Sequence, residues 1–112
     1  MLKIRNINNI TVINFDSDIK RLNVTISSKV KEQLLEIINK PNSKLILDFN
    51  GISFIDSSGF GALVNIYNKA KENNSYFKLC NISQETMELV FVTKLDKVFE
   101  IHDTLDGCLN SF

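Results

Sequence analysis

The chain has 112 residues, 13 basic and 13 acidic side chains and a formal net charge of zero, with 44% apolar residues. That length fits a single domain, residues 1–112, with enough apolar content for a core. The charge balance gives no electrostatic footprint for nucleic acid. Its apolar runs fall far short of the roughly 20 residues that span a bilayer, and Met1-Leu2-Lys3-Ile4-Arg5 lacks the continuous apolar run of a signal peptide. These features point to a cytoplasmic protein that does not engage membranes.

In chain order, Lys3 to Asn8 alternates weakly as a strand, and Ile10-Thr11-Val12-Ile13-Asn14-Phe15 reads as a firmer, β-branched one. Asp16-Ser17-Asp18 is a turn. Ile19 to Asn23 is an extended lead-in to a helix spanning about Thr25 to Asn39. Ile26, Val30, Leu34, Ile37 and Ile38 share that helix's apolar face, and Asn23 or Thr25 supplies the N-cap. Pro41-Asn42-Ser43 closes it. Lys44 to Phe49 is the most apolar strand, Asn50-Gly51 turns the chain, and Ile52 with Phe54-Ile55 returns to the core ahead of Asp56.

A second helix, about Ser58 to Asn73, carries an apolar stripe of Phe60, Leu63, Val64 and Tyr67, widened by Ala62, Ile66 and Ala70. Tyr76 to Ile82 is a strand. Ser83 heads a third helix whose inward face is Met87, Val90 and Phe91, with Leu89 and Val92 as extra core or a contact patch. Leu95 and Val98-Phe99-Glu100-Ile101 give a last strand, and Asp103 or Thr104 caps a final helix through Leu105 and Leu109. This alternation predicts an α/β fold: a central mixed, mostly parallel sheet of about five strands with about four helices.

Catalytic motifs fail one by one. A nucleophile elbow needs Gly-x-Ser-x-Gly, whereas Ile55 and Asp56 stand two residues before Ser57 and Ser58. The sole histidine, His102, lies at or beyond the last strand. Gly59-Phe60-Gly61 opens like a dinucleotide fingerprint, but Val64 occupies the third glycine's place. Cys80 and Cys108 have no metal-binding spacing, and Cys80 reads as a buried thiol. The Asn-x-Ser/Thr matches at Asn9, Asn23, Asn73 and Asn81 are chance products of an asparagine-rich chain. The expectation is a protein that is not an enzyme and holds neither cofactor nor metal.

Asp56-Ser57-Ser58-Gly59 marks the handover from a buried strand to a helix. Its plain reading is a helix cap, for which aspartate and serine are favoured, with glycine permitting close packing. Capping needs one such residue, however, and three polar side chains follow the strand here.

The run Asp48-Phe49-Asn50-Gly51-Ile52-Ser53-Phe54-Ile55-Asp56-Ser57-Ser58-Gly59-Phe60-Gly61-Ala62-Leu63 closely resembles the signature of the STAS domain family, most of all its bacterial anti-sigma factor antagonists. Lys78 to Ser83 and Thr93 to Phe99 extend the resemblance. It implies an antagonist that binds a serine-kinase anti-sigma factor and frees a sigma factor. Ser57 would be the phosphoacceptor that breaks the complex, and a separate phosphatase would restore it. Partner-binding residues on this reading are Asp56, orienting the loop; Ser58, capping the helix; Gly59 and Gly61, keeping the surface flat; and Phe60 and Asn23 beside them. Asn23 stands where the family often carries aspartate, and Lys94 where it often has glycine. Two alternatives stay open: a STAS module in lipid-transport machinery or a signalling scaffold, and a small-molecule or nucleotide-binding module.

Overall fold

The computed structural model describes residues 1–112. Strands β1 (Leu2–Ile7) and β2 (Ile10–Phe15) form an antiparallel hairpin with Ile7 opposite Ile10. Its two-residue turn is Asn8-Asn9, with φ of 53° and 66°. Two positive φ angles match the twist of the flanking strands, and asparagine tolerates them well. Three more asparagines, Asn42, Asn74 and Asn81, also sit at positive φ. Five of the chain's 14 asparagines thus take the left-handed conformation that turns require.

Next come β3 (Arg21–Leu22), α1 (Val24–Ile38), β4 (Lys44–Asp48), β5 (Phe54–Ile55), α2 (Ser57–Glu72), β6 (Tyr76–Cys80), α3 (Gln84–Val92), β7 (Glu100–His102) and α4 (Leu105–Asn110). The main sheet runs β1-β2-β4-β6-β7, parallel at every pairing except the hairpin. Side-chain alternation sends Ile13, Phe15, Leu45, Leu47, Phe77 and Leu79 to the face covered by α1 and α2. Ile10, Val12, Ile46 and Cys80 point the other way, onto Cys108 of α4. Burial on both faces explains why Leu45, Ile46 and Leu47 form an unbroken apolar run.

Several expectations shift. The lead-in before α1 holds a two-residue strand, β3, paired in parallel with β5. In so short a strand only one side chain faces inward: Ile55 is buried, while Phe54 is 45% exposed beneath the Arg21 guanidinium, 5.7 Å from its ring centre. On α2 the buried stripe centres on Gly59, Ala62, Leu63, Ile66 and Ala70, and Phe60, Val64 and Tyr67 are its half-buried flank. On α3 only Thr86 and Val90, one turn apart, are fully buried. Phe91, placed inward by periodicity, points outward and is 58% exposed, beside exposed Leu89 and Val92. The last strand begins at Glu100 because Leu95–Lys97 coil into a 3-10 turn first.

The far face is fastened by a buried lysine. Lys78 Nζ meets Glu100 Oε2 at 2.9 Å, donates to Ser111 Oγ at 2.8 Å and the Ser111 carbonyl at 3.1 Å, and lies 4.0 Å from the Phe112 ring centre. Burial pushes the Glu100 carboxyl up, but hydrogen bonds from His102 and Lys78, with their charges, outweigh it and hold it below the usual range. His102 is thus engaged by Glu100, at 2.6 Å, and not by either serine. The Cys80 thiol, packed beside Cys108, buried and near Asp48, is pushed far up and stays protonated.

Lys94 has φ 62° and ψ 22°, a left-handed conformation that ordinary side chains adopt at a cost. Glycine removes that cost, offset in part by a freer unfolded chain. Lys94→Gly should raise the melting temperature by about 2–5 °C. A fall on calorimetry would mean that the lysine side chain makes a compensating contact.

Candidate functional site

Pairing of β3 with β5 sets Arg21 opposite Phe54 and Leu22 opposite Ile55. Flanking backbone bonds, Ser53 N–H to the Lys20 carbonyl (2.8 Å) and Asp56 N–H to the Leu22 carbonyl (3.2 Å), extend the register in both directions. The next residues, Asn23 and Asp56, are the N-caps of α1 and α2. Asn23 Oδ1 accepts from the Ile26 amide at 3.0 Å, and Asp56 Oδ1 from the Gly59 amide at 3.0 Å. Two helix N-termini, with their unpaired amides and positive dipole ends, thereby lie side by side.

The three polar residues after Ile55 divide the work. Asp56, not Ser58, is the cap. The Ser58 hydroxyl donates to Asp56 Oδ1, which also takes the Gly59 amide. Bonds from the Ser58 hydroxyl first, then from the Gly59 amide, hold the Asp56 carboxyl below the usual carboxylate range. Ser57, in the first turn of α2, is exposed, and its hydroxyl meets no protein partner.

The two glycines do different things. Gly59 is buried: a Cβ there would stand 2.5 Å from Ile55 Cγ2 and 3.2 Å from Leu22 Cβ. It therefore packs α2 onto β3 and β5, and does not flatten the surface. Gly61 is exposed, with nothing within 4 Å of where its Cβ would be; here the flat-surface reading fits. Phe60 is half-buried against the core, and Asn23 is exposed. Val24, 67% exposed, and Phe54 add apolar surface near the two caps.

One feature escaped sequence reasoning. Between the first turns of α1 and α2 lies a cleft of about 260 Å³, lined by Ser27, Ser28 and Lys31 from α1 and by Ser58, Gly61 and Asn65 from α2. Small polar residues scattered over two helices carry no pattern that would announce it. A larger groove, about 570 Å³, runs farther down the same helix pair, but Leu35 is its only apolar lining residue. Small-molecule pockets are predominantly apolar, so this groove does not have their character. No three His, Cys, Asp or Glu side chains converge as a metal site would need, and no helix is long and apolar enough to cross a membrane.

Substitutions separate these roles. Gly59→Ala should destabilise by about 1–3 kcal/mol, the usual cost of overpacking, whereas Gly61→Ala should leave stability unchanged or raise it by up to about 1 kcal/mol. Equal effects in denaturant titrations would refute the assignment. At neutral pH, Asp56→Ala should melt about 4–8 °C lower, while Asp56→Asn, itself a good cap, should lose much less. Because the folded carboxyl sits low, its contribution persists at neutral pH and fades only as pH falls through that value. The gap between wild type and Asp56→Ala should therefore narrow as the pH falls below the ordinary carboxylate range.

Comparison with known proteins follows the same lines. The family model for the STAS domain matches residues 1–108. A Thermotoga maritima protein provisionally named an anti-sigma factor antagonist is 28% identical over 91 residues, covering 80% of each chain. An anti-sigma-factor antagonist (STAS) domain protein from Planctomyces limnophilus superposes with a TM-score of 0.90 at 26% identity, covering 98% of this chain and 96% of that one. The Bacillus cell fate determinant SpoIIAA in its phosphorylated form shares the fold, with a TM-score of 0.71, 16% identity and coverage of 99% and 98%. The chain belongs to the STAS domain family.

Proposed function

We propose that the chain works as one STAS domain, residues 1–112, and is a cytoplasmic anti-sigma factor antagonist switched by phosphorylation of Ser57. Its unphosphorylated form binds a serine-kinase anti-sigma factor and releases a sigma factor. The carrying observation is that Ser57 alone of the three polar residues has an exposed, unengaged hydroxyl, while Asp56 and Ser58 are committed to each other. The antagonist names of its relatives support the same reading.

In the transfer, Ser57 Oγ attacks the γ-phosphorus of ATP held by the partner kinase. The new O–P bond forms as the bond to the leaving ADP breaks, and the hydroxyl proton passes to a base of the partner kinase. Nucleotide and metal belong to the kinase, and this chain is the substrate. Val24 and Phe54 supply apolar contact around the serine, and Gly61 allows close approach. Asn23, exposed beside Asp56, offers that partner a carboxamide where the family resemblance implies a carboxylate.

A phosphate on Ser57 adds about −1.5 to −2 charges. A helix N-terminus tolerates this well, so the fold survives. The cost falls on the interface, where a doubly charged group would have to be desolvated beside Asp56. Each 1.4 kcal/mol lost there weakens binding about tenfold. A separate phosphatase resets the switch.

Incubation with the cognate kinase and ATP should add one phosphate, lost in Ser57→Ala and kept in Ser58→Ala. Phosphate mapped to Ser58 by mass spectrometry would sink the assignment. Ser57→Asp should weaken the complex at least about 100-fold, a few kcal/mol, with little change in melting temperature. A large drop in melting temperature would make Ser57 a structural residue instead.

A further inference from the structure

The cleft between the first turns of α1 and α2 has the make-up of an anion seat. Its polar lining is hydroxyls, one carboxamide and one ammonium, with no carboxylate: Ser27, Ser28, Lys31, Ser58 and Asn65. Lys31 is half-buried and makes no ion pair within the chain. Ser27 is 2% exposed, and its Oγ has no hydrogen-bond partner. Burying a hydroxyl without a partner is unfavourable, so an unpaired one at a cleft wall points to an occupant that would accept its bond. The N-terminal ends of a 15-residue and a 16-residue helix add positive potential beside the cleft.

Ser57 stands next to this cleft. It precedes Ser58, a lining residue, and lies one turn before Gly61, another, on the same helix face. Gly61 adds no side chain at this edge of the cleft, since nothing lies within 4 Å of where its Cβ would stand. A lysine's flexible stem lets Lys31 reach toward that edge from the facing helix.

We propose that this cleft receives the phosphate carried by Ser57, with Lys31 Nζ pairing with it and the Ser27 and Ser28 hydroxyls donating to it. The inference rests on the phosphorylation of Ser57 proposed above and adds what holds the group afterwards. The phosphorylated chain then partly neutralises its own new charge, and a phosphatase must draw the group out of the cleft to remove it. The charged groups facing the phosphate are Lys31 from α1 and Asp56 from the α2 cap; Arg21 of β3 is turned onto the Phe54 ring. Lys31 favours the dianion and lowers the second phosphate pKa, and Asp56 opposes it.

Phosphoserine installed at position 57 during translation makes the test independent of any kinase. The phosphorus resonance, followed through a pH titration by NMR, should give a second pKa about half a unit lower in the wild type than in Lys31→Gln. Lys31→Arg should restore the lower value. Amide resonances of Ser28, Lys31 and Asn65 should move when phosphoserine replaces Ser57. Equal pKa values in the wild type and Lys31→Gln, or amide shifts confined to residues 56–59, would overturn the cleft as the seat. Failure of the kinase to modify Ser57 would instead count against the switch and leave this measurement standing on its own.

Discussion

The site depends on four residues of backbone pairing. Arg21–Leu22 and Phe54–Ile55 form a parallel ladder outside the main sheet, and that ladder sets the caps of α1 and α2 side by side, while the helices also pack on each other through a shared core. Such a short ladder is not stable by itself. It survives because Leu22 and Ile55 are buried in the main core and because α2 lies directly on it at Gly59. Any larger residue at that glycine would push α2 away from Leu22 and Ile55 and so displace both caps.

With the ladder in place, the surplus of polar groups after Ile55 becomes a rigid arrangement. Asp56 satisfies the Gly59 amide and takes the Ser58 hydroxyl, so the turn is held from within and Ser57 projects from a fixed base. A loop already ordered in the free chain spares its partner the entropy of ordering it. Under the proposed phosphorylation of Ser57, charge alone would then suffice, because no refolding is needed to present the serine.

Much of the architecture was legible in the sequence because long elements repeat a period many times. Helices α1 and α2 show it, while strands β2 and β4 were legible by composition, as a β-branched run and an unbroken apolar run. Two-residue strands have no period, and β3 exists only through a partner more than thirty residues away, so it read as a lead-in. Aspartate and serine are nearly equal as caps; only the chain path shows that Asp56 takes the role and Ser58 supports it. Gly59 and Gly61 look alike in sequence, yet one faces Ile55 and the other faces open space. Phe91 misled for a related reason: α3 is nine residues long and buries only a narrow stripe, which leaves a large side chain one position off the stripe in solvent. Lys94 was visible as a departure from a common glycine, and its left-handed φ supplies the physical reason that glycine suits the position.

The choice between the two serines follows from what each would lose. A phosphate on Ser58 would remove the donor that helps hold Asp56 and would set a second negative group against the capping carboxylate, so modification would strain the turn that presents it. Ser57 gives up no bond when modified, and the first-turn amides of α2 favour the added charge. With Ser57 as the proposed acceptor, one residue before the supporting serine, the stability of the fold would be separated from the state of the switch. A reversible signal needs that separation, since each cycle of modification would otherwise pass through a weakened fold.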